Sequence, residues 1–440
     1  MTDVNMHRTG SILVASPLMA KRRAAEQRFR LYGMMTIAFS LGILVFMLWT
    51  IFADGISSFR QTSVTFPVLL TAEKLDPSGN RNRAEMTAVT TIGYTKVIDT
   101  AFLALLADKG IAIDGLSDKD AKAVLSKEAA GQLRARVLAD PAIVGTTIDM
   151  TLWTNARIDG YYKGRVTMES AVRDGNVSPE QLQLADALKA TGVLSMPFNW
   201  ALLTGPDASD QRPEAAGLGI SIIGSFFMMV IVALICVPIG VAASIYLEEF
   251  APKNRWTDLI EVNVSNLAAV PSIVYGILGL AVFINFIGLP QSSSLVGGLV
   301  LTLMTLPTII IATRASIRAV PPSIRDAALG VGASQMQTVM HHVLPLAMPG
   351  ILTGAILGLA RALGETAPLL LIGMVAFVDN YPGSVLEPAT ALPVQVYGWV
   401  QRGDPAFVER SSGAIIVLLL FLVVMNAAAI MLRRRFERRW

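Results

Sequence analysis

Long apolar blocks constrain this 440-residue chain more than any other feature. Hydrophobic residues make up 53% of the sequence and charged residues only 16%, whereas soluble domains carry about 25% charged residues. The apolar residues are also gathered into stretches close to the roughly 20 residues that an α-helix needs to cross a bilayer. We therefore expect an all-α integral membrane protein.

The apolar blocks predict six transmembrane helices, with one long polar insert after the first. The first span is expected at residues 31–53 and the insert at residues 54–216. A cleaved signal peptide is the competing interpretation of the first block, but that block is too long and no A-x-A-like cleavage site follows it. The remaining spans, which form the predicted domain 217–432, are expected at residues 217–247, 260–287, 295–313, 348–377 and 413–432.

Basic residues beside the first and last spans predict the orientation, because Lys and Arg are enriched in cytoplasmic loops. They lie in residues 1–30 and in the tail 433–440, and comprise Lys21, Arg22, Arg23, Arg28, Arg30, Arg433, Arg434, Arg435, Arg438 and Arg439. Six spans place both termini on one side, so we expect cytoplasmic termini and a periplasmic insert. Because these Lys and Arg residues lie directly beside a span, contact with membrane lipid is favoured over nucleic-acid binding.

The polar insert is long enough to form a soluble domain, and it contains 17 Lys and Arg residues and 20 Asp and Glu residues. Ser178 followed by Pro179 and Gln181 has an N-cap, an N1 proline and a capping-box glutamine, which predicts a helix to about residue 190. Ser117 similarly predicts a helix that reaches about residue 139. Strands are predicted at residues 146–157 and 161–168. We expect an α+β or mostly helical domain with no catalytic set.

The sequence lacks the motifs of an ATPase or a metal enzyme. No G-x-x-x-x-G-K-[ST] loop occurs, so we expect a non-catalytic chain that binds no cofactor of its own. The three histidines, His7, His341 and His342, have no metal-ligand spacing. Cys236 is the only cysteine, which excludes an intrachain disulfide and indicates a small core residue.

Residues 314–345, between the fourth and fifth predicted spans, contain signals for two short helices. Ser323 with Asp326 and Ser334 with Gln337 both match the capping-box spacing. The helices are expected to end at Gly330 and Gly332, and at Leu344 and Pro345. The first helix should carry an apolar face made of Ile324, Ala327, Ala328 and Val331. Small residues would let a partner's backbone approach closely, although an ordinary connecting loop is the alternative.

Arg361 and Glu365 lie about mid-way along the predicted span 348–377. A charge at the bilayer centre costs about 2.5–3.5 kcal/mol, so such residues face partners inside a bundle. Their i, i+4 spacing places both on one helix face, where they form either an ion pair that locks packing or part of an anion site. An arginine can bond two oxygens of an oxyanion at once. Glu365 would then orient Arg361, and Thr366 would add a hydroxyl.

Four prolines fall within predicted spans, and each removes a backbone donor and bends or breaks its helix. These are Pro238, Pro271, Pro307 and Pro368. Such breaks serve either as packed kinks or as parts of a water-lined path.

The loop 314–345 resembles the E-A-A-x3-G-x9-I-x-L-P signature of ABC-importer permeases. The matching positions are Asp326, Ala327, Ala328, Gly332, Leu344 and Pro345. Two departures occur, since Asp326 replaces the usual Glu and His342 replaces the usual Ile. In that family the loop supplies a coupling helix that sits in a groove of the ATPase subunit, so the resemblance implies this role for the six residues.

Residues 360–370 and 268–280 resemble the A-type permeases of phosphate ABC transporters, and the likeness extends from about residue 217 to the C-terminus. The insert resembles an N-terminal extension of some bacterial members. The family implies a six-helix type I importer permease in the bacterial inner membrane, with phosphate passing Arg361, Glu365 and Thr366. It also implies a second permease, a homodimeric ATPase that binds ATP and magnesium, and a periplasmic phosphate-binding protein.

Two alternatives remain open from the sequence. The residues alone imply only an anion or a buried salt bridge, so a permease for molybdate or sulfate is the first alternative. The second is a membrane-anchored sensor in which the insert is the ligand-binding domain.

Overall fold

The computed structural model describes residues 17–436, so Arg438 and Arg439 of the predicted basic tail and the first sixteen residues lie outside it. The chain divides into two compact units, with the boundary between Ala53 and Asp54. Helix α1 spans Pro17–Gly55. It begins well before the predicted first span, because residues 18–30 are rich in Ala, Arg, Lys, Glu and Gln, which favour helix.

The insert contains a three-stranded antiparallel sheet with helices packed against it. Its strands, in the spatial order β2-β1-β3, are β1 Ser63–Leu69, β2 Thr147–Trp153 and β3 Leu194–Ser195. Its helices are α2 Ala72–Leu75, α3 Arg83–Thr87, α4 Thr91–Asp108, α5 Asp118–Lys122, α6 Ala129–Ala139, α7 Ala156–Tyr162, α8 Met168–Ala171, α9 Pro179–Ala190 and α10 Trp200–Thr204. The insert is therefore α+β.

The sheet is held by strand pairing and by one buried face. Strand β1 pairs with β2 along its whole length, from Ser63 opposite Trp153 to Leu69 opposite Thr147. Alternate residues of β1 are buried, as expected when one face of a strand packs on a core. In that core the rings of Phe66 and Phe102 lie 5.7 Å apart.

Local signals in the insert predict some elements and miss others. The helix after Ser178 is confirmed as α9 with its capping box, and the strand at 146–157 is confirmed as β2. The strand predicted at 161–168 is wrong, because helix α7 extends to Tyr162 and helix α8 begins at Met168. The strand predicted at 146–157 ends at Trp153, because Asn155 starts α7. Its side chain accepts hydrogen bonds from the backbone N–H groups of Arg157 and Ile158, which is the usual role of an N-cap.

The helix predicted from Ser117 to residue 139 is interrupted. Ser117 does cap α5, but that helix ends at Lys122 and α6 begins only at Ala129. Between them, Leu125 forms a β-bridge with Thr154 and the N–H of Ser126 donates to the carbonyl of Trp153 at 2.8 Å. The backbone leaves the helix here because pairing with the sheet satisfies its polar groups.

The remaining chain is almost entirely helical. Its helices are α11 Gly219–Ile245, α12 Arg255–Ala268, α13 Ser272–Gly279, α14 Ser294–Arg318, α15 Pro322–Gly330, α16 Gln335–Thr338, α17 Leu344–Gly364, α18 Ala367–Leu371, α19 Leu392–Gln401 and α20 Pro405–Phe436. Single π-helical segments follow α11, α13 and α16, at Tyr246–Phe250, Leu280–Phe286 and Val339–Val343.

The predicted helical membrane class is confirmed. Within residues 17–436, five helices are long and apolar enough to cross a bilayer, and a bent pair raises the number to six if the pair is one span. The five are Lys21–Phe59, Gly219–Phe250, Ser294–Arg318, Gln335–Gly364 and Pro405–Arg435, and the pair is Arg255–Ala268 with Ser272–Phe286.

Two predicted spans are not continuous helices. The span 260–287 is broken at Pro271, where α12 and α13 meet at an angle of 102°, because proline donates no hydrogen bond and disfavours helix in the residue before it. The span 348–377 is also wrong, since α17 ends at Gly364. By contrast, Pro238 and Pro307 lie inside α11 and α14 without ending them.

Close approach between membrane helices depends on small residues, as is typical of helices packed in lipid. A methyl group added to Gly354 of α17 would lie 2.4 Å from Cβ of Ala312 in α14. A methyl group on Gly276 would lie 2.7 Å from Cα of Pro368. Cys236 is fully buried in the same packing, as predicted.

A buried cluster of charges joins the insert to the start of α20. Glu409 accepts a hydrogen bond from Ser57 at 2.6 Å and pairs with Lys163 at 3.1 Å and with Arg165. Lys163 also lies 2.7 Å from Asp159. The side chains of Lys163, Asp159 and Glu409 are no more than 5% exposed, so each charge depends on its partners for compensation.

Arg410 continues this cluster beside Glu409. It is 3% exposed and donates to the carbonyls of Ala216 and Glu214 and to the side chain of Gln61, each at 2.8 Å. The Glu214 carboxylate in turn accepts a hydrogen bond from Ser126. One arginine thus ties the start of the last helix to both ends of the insert.

Glu409→Gln should destabilise the full chain by about 3 kcal/mol, because two buried cations would lose one of their two carboxylates. The measurement is the unfolding midpoint of the purified chain in detergent. Glu169→Gln is the matched control, since Glu169 pairs with Arg173 at 3.9 Å and both side chains are more than 80% exposed. Equal midpoints for the two variants would contradict a structural role for the cluster.

The pH dependence of stability should report Glu214. Burial raises the pKa of its carboxyl above 4.5, and the hydrogen bond from Ser126 only partly opposes this. A raised pKa means that the folded state holds the proton more tightly than the unfolded state, so stability falls as the pH rises through the raised pKa. Glu214→Gln should flatten this fall in unfolding midpoints measured from pH 4.5 upward. Parallel curves for the variant and the parent would contradict the assignment.

Candidate functional site

The two short helices α15 and α16, with the turn between them, form a structure that we call the elbow, residues 322–338. Helix α15 begins at Pro322, with Pro321 at the N-cap and no side-chain cap bond. The capping box predicted for Ser323 and Asp326 is therefore wrong. Because Pro322 is preset for the first helical position, the helix starts two residues earlier than predicted and Ser323 lies inside it.

The turn of the elbow follows its sequence signals closely. Gly332 has φ +90°, a left-handed conformation that favours glycine. The N–H groups of Gly332 and Ala333 donate to the carbonyls of Leu329 and Ala328, which is a Schellman motif. Ser334 then caps α16 in the predicted capping box.

The stop predicted at Leu344 and Pro345 is wrong. The helical path runs without a break from Gln335 to Gly364, and Pro345 lies in the first turn of α17. The π-helical segment Val339–Val343 precedes it. Such a segment shifts the hydrogen-bond pattern by one residue, and the proline is accommodated at the start of the next α-helical stretch.

Paired charges clamp the elbow to the end of α11. The guanidinium of Arg325 contacts the carboxylate of Glu249 through Nη2 at 2.7 Å and Nε at 3.1 Å. It also donates to the carbonyls of Ile317 and Val320 at 3.0 and 2.8 Å. The side chain of Gln335 donates to the backbone carbonyl of Glu249. Both elbow helices are thus tied to one residue at the end of a membrane helix.

A second layer of ion pairs lies beside this clamp. Arg314 of α14 contacts Glu248 at 3.3 Å and also Glu261 of α12, while Arg318 lies 2.6 Å from Glu248. The sequence alone predicted no partners for these arginines. Two adjacent carboxylates at the end of an apolar span were the signal that could have revealed their partners.

The predicted contact residues do not share one surface of the elbow. Asp326, Ala327 and Gly332 are exposed, whereas Ala328 is only 5% exposed and Leu344 and Pro345 are partly buried. The apolar face splits in the same way, since Ile324 packs inward. The exposed apolar surface consists instead of Leu329, Val331, Met336 and Met340. Val331 is the most prominent, at 87% exposed.

Arg361 lies in the last turn of α17 rather than at the middle of a span. Its side chain is 58% exposed, and its Nε lies 3.5 Å from Glu365, whose side chain is 21% exposed. This is a loose pair compared with the clamp, and it leaves most guanidinium donors open among the described residues. The pair is therefore looser and more exposed than the contacts of the clamp.

Glu365 and Thr366 form the break that follows. Glu365 has extended backbone angles and ends α17, and Thr366 precedes the short helix α18. The cavity behind this break, lined in part by Leu363 and Leu369, holds about 10 Å³, about the space that one water centre needs. This cavity is therefore too small to admit an oxyanion.

Family models match two parts of the chain. Residues 236–440 match the family described as binding-protein-dependent transport system inner membrane component. Residues 17–172 match a domain of unknown function, DUF3333. The resemblance to importer permeases is thereby confirmed for the C-terminal part, and the part of the insert up to residue 172 matches a different family model.

Relatives align with the C-terminal part only. "Probable ABC transporter permease protein YqgI" of Bacillus subtilis is 36% identical over 197 residues, 42% of this chain and 66% of its own length. "Phosphate transport system permease protein PstA" of Haemophilus influenzae is 34% identical over 42% of this chain and 64% of its own length. "Phosphate transport system permease protein PstA 1" of Mycobacterium tuberculosis strain H37Rv is 33% identical over 42% of this chain and 58% of its own length. The chain thus spans less than two thirds of each relative.

Solved structures with a similar course of the chain include an inward-facing MetNI methionine ABC transporter. It has a TM-score of 0.40 and 16% identity, and covers 50% of this chain and 97% of that one. A bacterial ABC transporter for import of the acidic polysaccharide alginate has a TM-score of 0.39 and 15% identity. The match covers 50% of this chain and 79% of that one.

Proposed function

We propose that this chain, whose residues 236–440 form a domain of the binding-protein-dependent transport system inner membrane component family, is a permease subunit of an ATP-driven phosphate importer. The observation that carries the proposal is Arg361, an arginine that is 58% exposed on a helix otherwise apolar enough to span a membrane. Relatives named as phosphate permeases align with this part of the chain.

Arg361 is suited to lie on a path that a second subunit completes. Exposure of a guanidinium within an apolar bundle is costly in lipid, so the exposed side of α17 is expected to face protein or water. A second permease with a similar face would enclose the path. Phosphate would then accept paired hydrogen bonds from Arg361, with Glu365 orienting the guanidinium and Thr366 adding a hydroxyl donor.

The elbow would be the contact for a cytoplasmic ATPase. Its exposed apolar side chains, Leu329, Val331 and Met336, together with Met340 just after it, form a small projecting surface that suits a groove in a partner. Asp326, Ala327 and Gly332 lie on the exposed part of the same elbow, while Ala328, Leu344 and Pro345 would support it from below. ATP and magnesium would bind to the ATPase, and this chain would hold no cofactor.

The proposed orientation follows from the charge pattern. Arginines concentrate at the end of α14 and the start of the elbow, where Arg314, Arg318 and Arg325 lie, and at the end of α20. The side with more Lys and Arg is normally cytoplasmic. Both termini would lie in the cytoplasm of a bacterium, and the insert would lie in the periplasm beside a phosphate-binding protein. The complex would sit in the inner membrane with two permeases and a homodimeric ATPase.

Transport would couple to ATP through the clamp. Closure of the ATPase around ATP would shift the elbow, and the contacts of Arg325 with Glu249 would carry that shift to α11. The pairs that Arg314 and Arg318 form with Glu248 would carry it to α14. The spans would then alternate as rigid bodies between inward-facing and outward-facing states.

Val331→Glu should abolish co-purification of the ATPase, because it places a charge at the most exposed apolar position of the elbow. The measurement is recovery of the ATPase with the tagged chain from solubilised membranes. Val172→Glu is the control, since Val172 is 73% exposed on the insert and the same change there should be neutral. Normal recovery with Val331→Glu would remove the elbow from the interface.

Arg361→Ala should lower phosphate uptake by about tenfold or more, the effect of losing a charged hydrogen bond to the substrate. Uptake is measured in vesicles that contain equal amounts of the assembled complex. Arg173→Ala is the control, because Arg173 and Glu169 form an exposed pair at the same i, i+4 spacing. Unchanged uptake in Arg361→Ala would exclude the residue from the path.

Competition separates the alternatives. Excess unlabelled phosphate should suppress uptake, whereas sulfate and molybdate should not; the reverse result would assign the path to another oxyanion. A sensor without transport would show no uptake and no ATPase partner, although the chain would still reach the membrane.

A further inference from the structure

The insert contains a basic cleft of about 640 Å³ between the start of α4 and helix α6. Its size lies within the range of roughly 300–1,000 Å³ that is common for small-molecule sites. The residues that give the cleft its polar character are Arg83, Thr91, Thr95, Lys127, Arg134 and Arg212.

Charge is strongly segregated at this cleft. The insert as a whole has more acidic than basic residues, 20 against 17, yet the cleft is lined by four basic residues and one acidic residue. That acidic residue, Glu128, is already paired with Arg212. Among residues 17–436, Arg83, Lys127 and Arg134 form no ion pair. Three positive charges therefore face the cleft without a carboxylate.

Arg134 is held in place but incompletely bonded. Its Nη2 donates to the carbonyl of Thr87 at 2.7 Å, while its Nε is buried and has no acceptor within the described chain. The buried hydroxyl of Tyr94 also lacks a partner there. Burial raises the pKa of Tyr94, and the charge of Arg134 partly opposes this rise. Among the described residues only one donor of the Arg134 guanidinium makes a hydrogen bond, and Arg134 lines the cleft, so donors remain for a ligand there.

The start of α4 adds a favourable dipole. Thr91 lines the cleft and is the first residue of this 18-residue helix. The first turn contains no acidic residue, and Thr90 makes no side-chain cap bond. Free N–H groups at a helix N-terminus favour anions. The N-terminus of α4 therefore adds to the positive potential of Arg83, Lys127 and Arg134 in the cleft.

We propose that this cleft binds a soluble small molecule that carries several phosphate groups, such as a short polyphosphate or a phosphorylated metabolite. A single orthophosphate would leave most of the cleft empty and reach only some of its cations. A guanidinium can donate two parallel hydrogen bonds to phosphate oxygens. Arg83, Lys127 and Arg134 would together neutralise the negative charge of the ligand. The site is separate from Arg361 and does not depend on the transport function.

The test uses tripolyphosphate, titrated by calorimetry into the purified full chain in detergent at about 0.15 M salt, where long-range attraction is screened. We expect saturable binding at one site per chain, at least tenfold tighter than orthophosphate. Arg134→Gln should weaken binding about tenfold or more. Arg136→Gln is the matched control, because Arg136 lies on the same helix and does not line the cleft.

Two further variants keep the outcome decisive. If Arg134→Gln fails to fold, Lys127→Gln replaces it, since Lys127 is exposed and forms no side-chain bond among residues 17–436; it too should weaken binding severalfold. Arg361→Ala should bind normally, which separates this site from the proposed path. Absence of binding, equal affinity for orthophosphate, or unchanged binding in both cleft variants would overturn the proposal.

Discussion

The structure depends above all on the buried charges that join the insert to the last helix. Glu409 of α20 forms ion pairs with Lys163 and Arg165 of the insert. Lys163 also pairs with Asp159 of the insert. An unpaired buried charge would be strongly destabilising, because the ion loses its hydration and gains no compensating partner. The insert and the helix bundle accordingly belong to one compact unit, which begins at Asp54.

The same principle operates at the opposite end of the bundle. Arg325 and Glu249 form a two-point contact at the elbow, and helices between the two ends pack through small residues such as Gly354. Against this background Arg361 is different. The Arg361 Nε lies 3.5 Å from Glu365 and the arginine side chain is exposed, so this ion pair contributes little to holding the fold. That contrast makes Arg361 a candidate for contact with substrate rather than a packing element.

Local sequence signals predicted the structure well where the cause is local. Ser178 and Ser334 start helices because a serine oxygen bonds an N–H three residues away. They failed where a neighbour or a distant segment competes. Pro322 overrides Ser323, and Asn155 turns a predicted strand into a helix. Leu125 leaves its helix to bridge Thr154, a choice that only the completed sheet can impose.

The sequence by itself determined the membrane class, the approximate positions of four of the six predicted spans, the polar insert, and the cap signals of the elbow turn, because hydrophobicity and caps act over a few residues. It also identified Arg361 and Glu365 as unusual charges. Only the tertiary structure decided which charges are paired. Glu409 meets Lys163 across 246 positions and Arg325 meets Glu249 across 76. Such partners are set by how helices pack, since the energy that selects them appears only when burial removes water from both.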